Sequence, residues 1–241
     1  EKLFFITMKL TSEQIDRLYQ FTRQHYVEWY DLQTELVDHL ANAIEQQWQE
    51  NPKISFEDAL QMEFKKFGVF GFMDVVEKRQ AALNKRYNKI VWQHFKAFFT
   101  IPKIVTTFSA VGILFYMLLS INKQAGIIIN SFIVVAILFF WMATIVKRTK
   151  YNKTAKASGK KWLFKEVIFG YSNFAGLSYI PIQILVHVDF NSQIGIIKAL
   201  FFSVLIVSMY LIDYIVLFEI PSKAEDYLKE TYPEYALENA N

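Results

Sequence analysis

The sequence predicts an all-α integral membrane protein: an N-terminal cytoplasmic helical domain followed by four transmembrane helices. Three observations predict it. Apolar residues make up 53% and aromatic residues 17% of the 241 positions, high for a chain that meets only water. Four apolar runs, 104–121, 126–146, 167–186 and 196–218, each approach the roughly 20 residues needed to cross about 30 Å of hydrocarbon. Between the second and third lies KRTKYNKTAKASGKKWLFK, residues 147–165, with eight Lys or Arg and no acid, a stretch that the positive-inside rule keeps in the cytoplasm.

Charge alternates along the chain. Residues 1–77 carry fourteen acids and seven bases, residues 78–100 six bases and no acid, and residues 219–241 six acids and two bases. This divides the chain into a cytoplasmic head with a basic juxtamembrane helix (1–100), a four-helix membrane domain holding the basic loop 147–165 (101–220), and an acidic cytoplasmic tail (221–241). Cysteine is absent, which excludes disulfides, thiolate catalysis and cysteine-based metal sites. The first residues, EKLFFIT, have no basic start, long apolar core or cleavage site, so no cleaved export signal is expected. Met8 is a candidate first residue, with residues 1–7 an extension.

In the head, Thr11 and Gln14 form a T-x-x-Q capping box that opens a helix with Ile15, Leu18, Tyr19 and Tyr26 on its apolar face. A second helix, 30–50, places Leu32, Leu36, Leu40, Ala43 or Ile44, and Trp48 at steps of three and four, and Asn51-Pro52 ends it. Ser55, with Asp58 three residues on, starts a third helix that closes at Gly68; Phe56, Ala59, Leu60, Phe64 and Phe67 can share its core. Residues 72–99 carry an apolar stripe at Val76, Leu83, Tyr87, Ile90, His94 and Phe98 opposite six bases, and end in Trp92, Phe95, Phe98 and Phe99. That pattern suits either a helix lying in the lipid interface or a fourth helix of the head with a solvated basic face. Pro102 then allows a bend or opens the first crossing.

The run YDLQTELVDHLANAIEQQW, a short Pro-containing link and SFEDALQMEFKKFG resemble the small bacterial helical head called HAAS, or DUF1700-like, often followed by membrane helices. The matching positions are Glu35, Asp38, His39 and Leu40, then Ser55, Glu57, Asp58, Ala59, Leu60 and Phe67-Gly68. The resemblance implies a signalling or regulatory accessory role in the bacterial inner membrane rather than a chemistry.

With 147–165 inside, a short turn near residues 122–125 joins the first two crossings outside, residues 189–193 join the last two, and both termini lie in the cytoplasm. The third crossing is the least oily, and its Ser172-x-x-x-Gly176 spacing admits a close neighbour, while Pro181 would kink it. The fourth contains Asp213, an acid that costs a few kcal/mol at depth unless it is paired. Asp213 with Asn173 and Tyr171 is therefore a candidate intramembrane polar site; the plainer alternative is that Asp213 reaches interfacial water or joins two helices through a tyrosine. Lys198 is expected to snorkel outward.

Candidate chemistry is sparse. His25, Glu28, Asp31, Glu35, Asp38 and His39 include carboxylate and imidazole groups on one helical face, but only one partial copy of a Glu-x-x-His motif, so they read as a solvated acidic face and no metal is expected. Ser158-Gly159-Lys160-Lys161 lacks the upstream glycine of a phosphate loop, and no nucleophile elbow or zinc motif is present. No cofactor and no nucleic-acid partner are expected. The reading is a non-enzymatic multi-pass adaptor or regulatory protein whose head face, Asp31, Glu35, Asp38 and His39, binds a protein partner. Its basic segments would meet anionic headgroups. The loop lysines Lys150, Lys153, Lys156, Lys160 and Lys161 form a candidate docking surface for the acidic head and tail. The alternative is a small transporter or channel subunit working through Asp213 and Asn173.

Overall fold

The computed structural model describes residues 9–120, 123–170, 183 and 194–238, which are mostly helical with no strand among them. The chain forms two compact units, one comprising residues 1–84 and 155–166, the other 85–154 and 167–241.

The first unit is built on α1 (Ser12–Gln24), α2 (Tyr30–Glu50) and α3 (Phe56–Lys65), followed by the first half of α4 (Met73–Ala97). Thr11 and Gln14 make both hydrogen bonds of the capping box, and Ser55 Oγ accepts from the Asp58 N–H at 3.2 Å. Each satisfies an amide that the first helical turn leaves orphaned. Leu18, Leu32, Leu36, Leu40, Ile44, Ala59 and Leu60 are buried, as the helical spacing requires. An aromatic cluster completes the core: Phe72 packs edge-on against Phe64 at 5.0 Å and Phe67 at 4.8 Å, and Phe21 against Phe64 at 5.1 Å.

Tyr26 does not face this core. The chain leaves α1 there in the left-handed region, with φ 65°, so Tyr26 is exposed and Val27 turns inward instead. Phe21 takes the core position that the periodicity offered to Tyr26.

The second unit contains α5 (Lys103–Leu119), most of α6 (Lys123–Ser158), and α8 (Ile196–Tyr214), which continues through a π-helical turn, Ile215–Glu219, into a last turn, Ile220–Ser222. Between α6 and α8, α7 spans Leu163–Gly170. Leu118, Ile133, Ala199 and Ile206 form the core where α5, α6 and α8 meet. Val76, Leu83 and Ile90 are buried along α4, in line with the predicted stripe. Among the described residues, 130–158 and 196–222 are long and apolar enough to cross a membrane, while α5 is a shorter apolar helix. The third expected crossing, 167–186, falls mostly outside the described residues.

One expectation changes. The basic stretch 147–165 is not a loop for most of its length, because α6 runs on to Ser158 and stops at Gly159, which has φ 66°. Lys, Arg and Ala are good helix formers, and nothing before Gly159 breaks the helix. Within the acidic tail, the described residues 224–238 are largely helical. Helices α9 (Ala224–Thr231) and α10 (Pro233–Glu238) pack within the second unit, with Leu228, Tyr232 and Tyr235 buried.

Candidate functional site

A group of connected polar side chains lies where the long helix around α8 ends. Pro221 has no N–H to give to the carbonyl four residues back, that of Leu217, and its ring crowds that oxygen. The helix widens there into the π turn, and Lys147 Nζ donates to Leu217 O while its ammonium sits 4.3 Å from the centre of the Phe218 ring. A cation from α6 thus completes a carbonyl that the proline strands.

The π turn delivers Glu219 to a cluster of its own. His94 Nδ1 lies 3.0 Å from Glu219 Oε1, and its Nε2 lies 2.8 Å from the Tyr227 hydroxyl. A carboxylate only accepts, so Nδ1 carries a hydrogen, and in the neutral ring Nε2 accepts from the Tyr227 O–H. Lys103 and Lys223 approach the same Glu219 oxygen at 3.7 and 3.6 Å. Glu219 Oε2 is buried with no hydrogen-bond partner among the described residues. Alongside, Arg86 pairs with Glu230 at 3.2 Å, a second tie between α4 and α9.

Carboxylate, imidazole and hydroxyl in series is the order of an activated nucleophile, but the Tyr227 phenol is pushed the wrong way for that. Burial raises its pKa first, and Glu219, Glu230 and Asp226 raise it further. The phenol is held neutral, and the cluster positions helices and lysines rather than a phenolate.

The other predicted site residues are distributed differently. Asp213 is buried in α8, and one turn before it Tyr210 has its hydroxyl buried without a partner among the described residues. Asn173 and Tyr171 lie outside the described residues. Of the docking lysines, Lys150, Lys153 and Lys156 are exposed along α6. Lys160 Nζ lies 4.1 Å from the Tyr30 ring centre, and Lys161 pairs with Glu28 at 2.7 Å.

The contact made by residues 160–166 is a strap on the head. Tyr30 N–H donates to Lys161 O at 2.7 Å, Leu163 N–H to Asp31 Oδ1 at 3.1 Å, and Trp29 Nε1–H to Glu166 Oε2 at 2.6 Å. Trp162, Leu163 and Phe164 are buried. Three buried apolar side chains, at about 1.5–3 kcal/mol each, outweigh an exposed ion pair that contributes up to about 1 kcal/mol. Hydrophobic anchoring holds the strap, with charge at its margin. Beside it opens a cleft of about 730 Å³ walled by Tyr19, Arg23, Tyr30, Gln33, Ser158 and Lys160 among others. On the head face, Asp31 is engaged by the strap, His39 packs edge-on against Phe67 at 5.9 Å, and Glu35 and Asp38 are exposed.

Among the described residues no group of three or more His, Asp or Glu side chains is placed to hold a metal ion. The sequence reading missed Glu219 and Tyr227 as site residues. The available signals were a lone histidine on an apolar stripe and an acid shortly before a Pro at the end of an apolar run. Comparison with protein-family models, with curated proteins and with solved structures gives no match.

Proposed function

We propose that this chain is a non-enzymatic, multi-pass inner-membrane adaptor with four crossings, both termini in the cytoplasm, and a helical head that binds a protein partner. The observation that carries the membrane part is exposure. A core helix of a soluble protein is mostly buried, whereas the most apolar window of 130–158 is only 6% buried, with Phe132, Phe139, Trp141 and Met142 facing outward. The head supports the adaptor part through α2, where Glu35, Asp38, His39, Asn42 and Gln46 form one exposed polar ridge headed by two acids. The HAAS-like pattern of this segment fits an accessory role. A basic surface on a protein partner is the complement of those acids.

Purification of the full chain in mild detergent, compared with Glu35→Lys/Asp38→Lys, tests this reading. One or more proteins should co-purify with the wild type in stoichiometric amount and be lost from the charge-reversed variant with the fold intact. Identical co-purification by the two would remove the ridge from the account.

The burial of Asp213 within the 196–222 helix favours a second reading, a small transporter or channel subunit. Asp213→Asn separates the two: transport predicts lost flux in proteoliposomes, and the adaptor reading predicts unchanged partner binding.

A further inference from the structure

We propose that Lys103 and Lys223, held by Glu219, form a binding site for the phosphate of an anionic phospholipid. The inference deepens the membrane reading and rests on it. Both ammonium groups lie within 4 Å of one carboxylate oxygen, Glu219 Oε1, so they are neighbours although they come from helical segments far apart in sequence. Exposure sorts them by sign: the Glu219 side chain is 15% exposed, the Lys103 and Lys223 side chains 46% and 47%. An inner carboxylate thus holds two outward cations.

Lys103 opens an apolar helix, and Lys223 follows the end of another, so the pair sits where both helices leave their apolar stretches. Chemistry next to it matches a leaflet surface. No acid occurs from residue 78 to 102, Lys85, Lys89 and Lys96 are exposed, and Trp92 and Phe99 present large exposed rings. Lys96 Nζ lies 5.4 Å from the Trp92 ring centre and Lys103 Nζ 4.4 Å from that of Phe98. Aromatic side chains at headgroup depth beside exposed bases are the pattern of an interfacial anchor for anionic lipid. Glu219 itself repels a phosphate, and its role is to fix the lysines; the two outward ammonium groups outweigh it.

The test uses the full chain in nanodiscs of phosphatidylcholine with or without phosphatidylglycerol, reading retained lipid by native mass spectrometry and the midpoint of thermal unfolding. Phosphatidylglycerol should be retained in preference and raise the midpoint. Lys103→Gln/Lys223→Gln should weaken that preference roughly tenfold or more, Lys103→Arg/Lys223→Arg should keep it, and Lys53→Gln/Lys65→Gln, at exposed positions of the head, should leave it unchanged. An unchanged preference in the Gln pair overturns the proposal, as does stabilisation by inorganic phosphate in detergent equal to that by phosphatidylglycerol, which would assign the site to a soluble anion. Extraction of the wild type from membranes by alkaline carbonate would instead overturn the membrane reading beneath it.

Discussion

Lys147 donates from α6 to the carbonyl of Leu217, the oxygen that Pro221, four residues later, cannot satisfy. This pairing makes the π turn tenable and ties two long helices. Lys147→Met should lower stability by about 1–3 kcal/mol, the cost of a buried polar group left unpaired. Pro221→Ala restores an N–H, so in that background the loss from Lys147→Met should shrink. A double-mutant cycle on thermal unfolding in detergent measures the coupling; strict additivity would refute the link.

His94 joins Glu219 to Tyr227 and so anchors α9. His94→Ala should raise hydrogen exchange across residues 224–231 without raising it in α1 to α3. Tyr227→Phe should do the same to a smaller degree. The sign of the pH effect follows from the raised phenol pKa. Its contribution is fully present below the ordinary value of 10.0 and is lost as pH rises through the higher folded value. Difference absorbance of wild type against Tyr227→Phe should place this phenol above the exposed tyrosines; a titration at or below 10.0 would contradict the geometry.

For the strap, packing should dominate charge. Trp162→Ala should cost about 3–5 kcal/mol, while Glu28→Gln and Lys161→Gln each cost up to about 1 kcal/mol. The hydrogen bond to Glu28 is the main cause that raises the Lys161 pKa. The small ionic contribution is therefore constant at neutral pH and fades only as pH rises past about 10.5 and through the raised value. Urea titrations of the full chain in detergent, followed by hydrogen exchange in α2, rank the variants. Equal losses for Trp162→Ala and Lys161→Gln would overturn the hydrophobic account.

Gly68 and Gly71 both have positive φ, but they differ in what surrounds them. A Cβ on Gly68 meets nothing within 4 Å, whereas one on Gly71 would lie 2.9 Å from Phe64 Cζ, inside the aromatic cluster. Gly71→Ala should therefore destabilise the head more than Gly68→Ala, whose cost is backbone strain alone, on the order of 1 kcal/mol. Thermal midpoints of the two variants check the order.

These contrasts show what the sequence could reveal. The head helices were legible because Leu18, Leu36, Leu40 and Leu60 repeat at helical spacing and Thr11 and Ser55 mark starts by local hydrogen bonding. The long-range partnerships were not. Nothing local in Lys147 points to Leu217, and nothing in Glu219 points to His94, 125 positions away. The basic stretch misleads for a physical reason: its charges bear on topology, but Lys and Arg also favour helix, so a run of bases does not by itself mean a loop. In the acidic tail, Leu228, Tyr232 and Tyr235 are few and widely spaced yet buried, a seating that no periodic stripe announces.

The central claim, a membrane protein with its head and basic segment on the cytoplasmic side, is tested most directly by cysteine accessibility. The chain has no cysteine, so single replacements at Gln49, Ala157 and Asn191 can be read without background using an impermeant maleimide on intact cells and on inverted vesicles. The account predicts labelling of position 191 from outside only, and of positions 49 and 157 from inside only. Labelling of position 157 from outside, or recovery of all three variants in the soluble fraction, would contradict it.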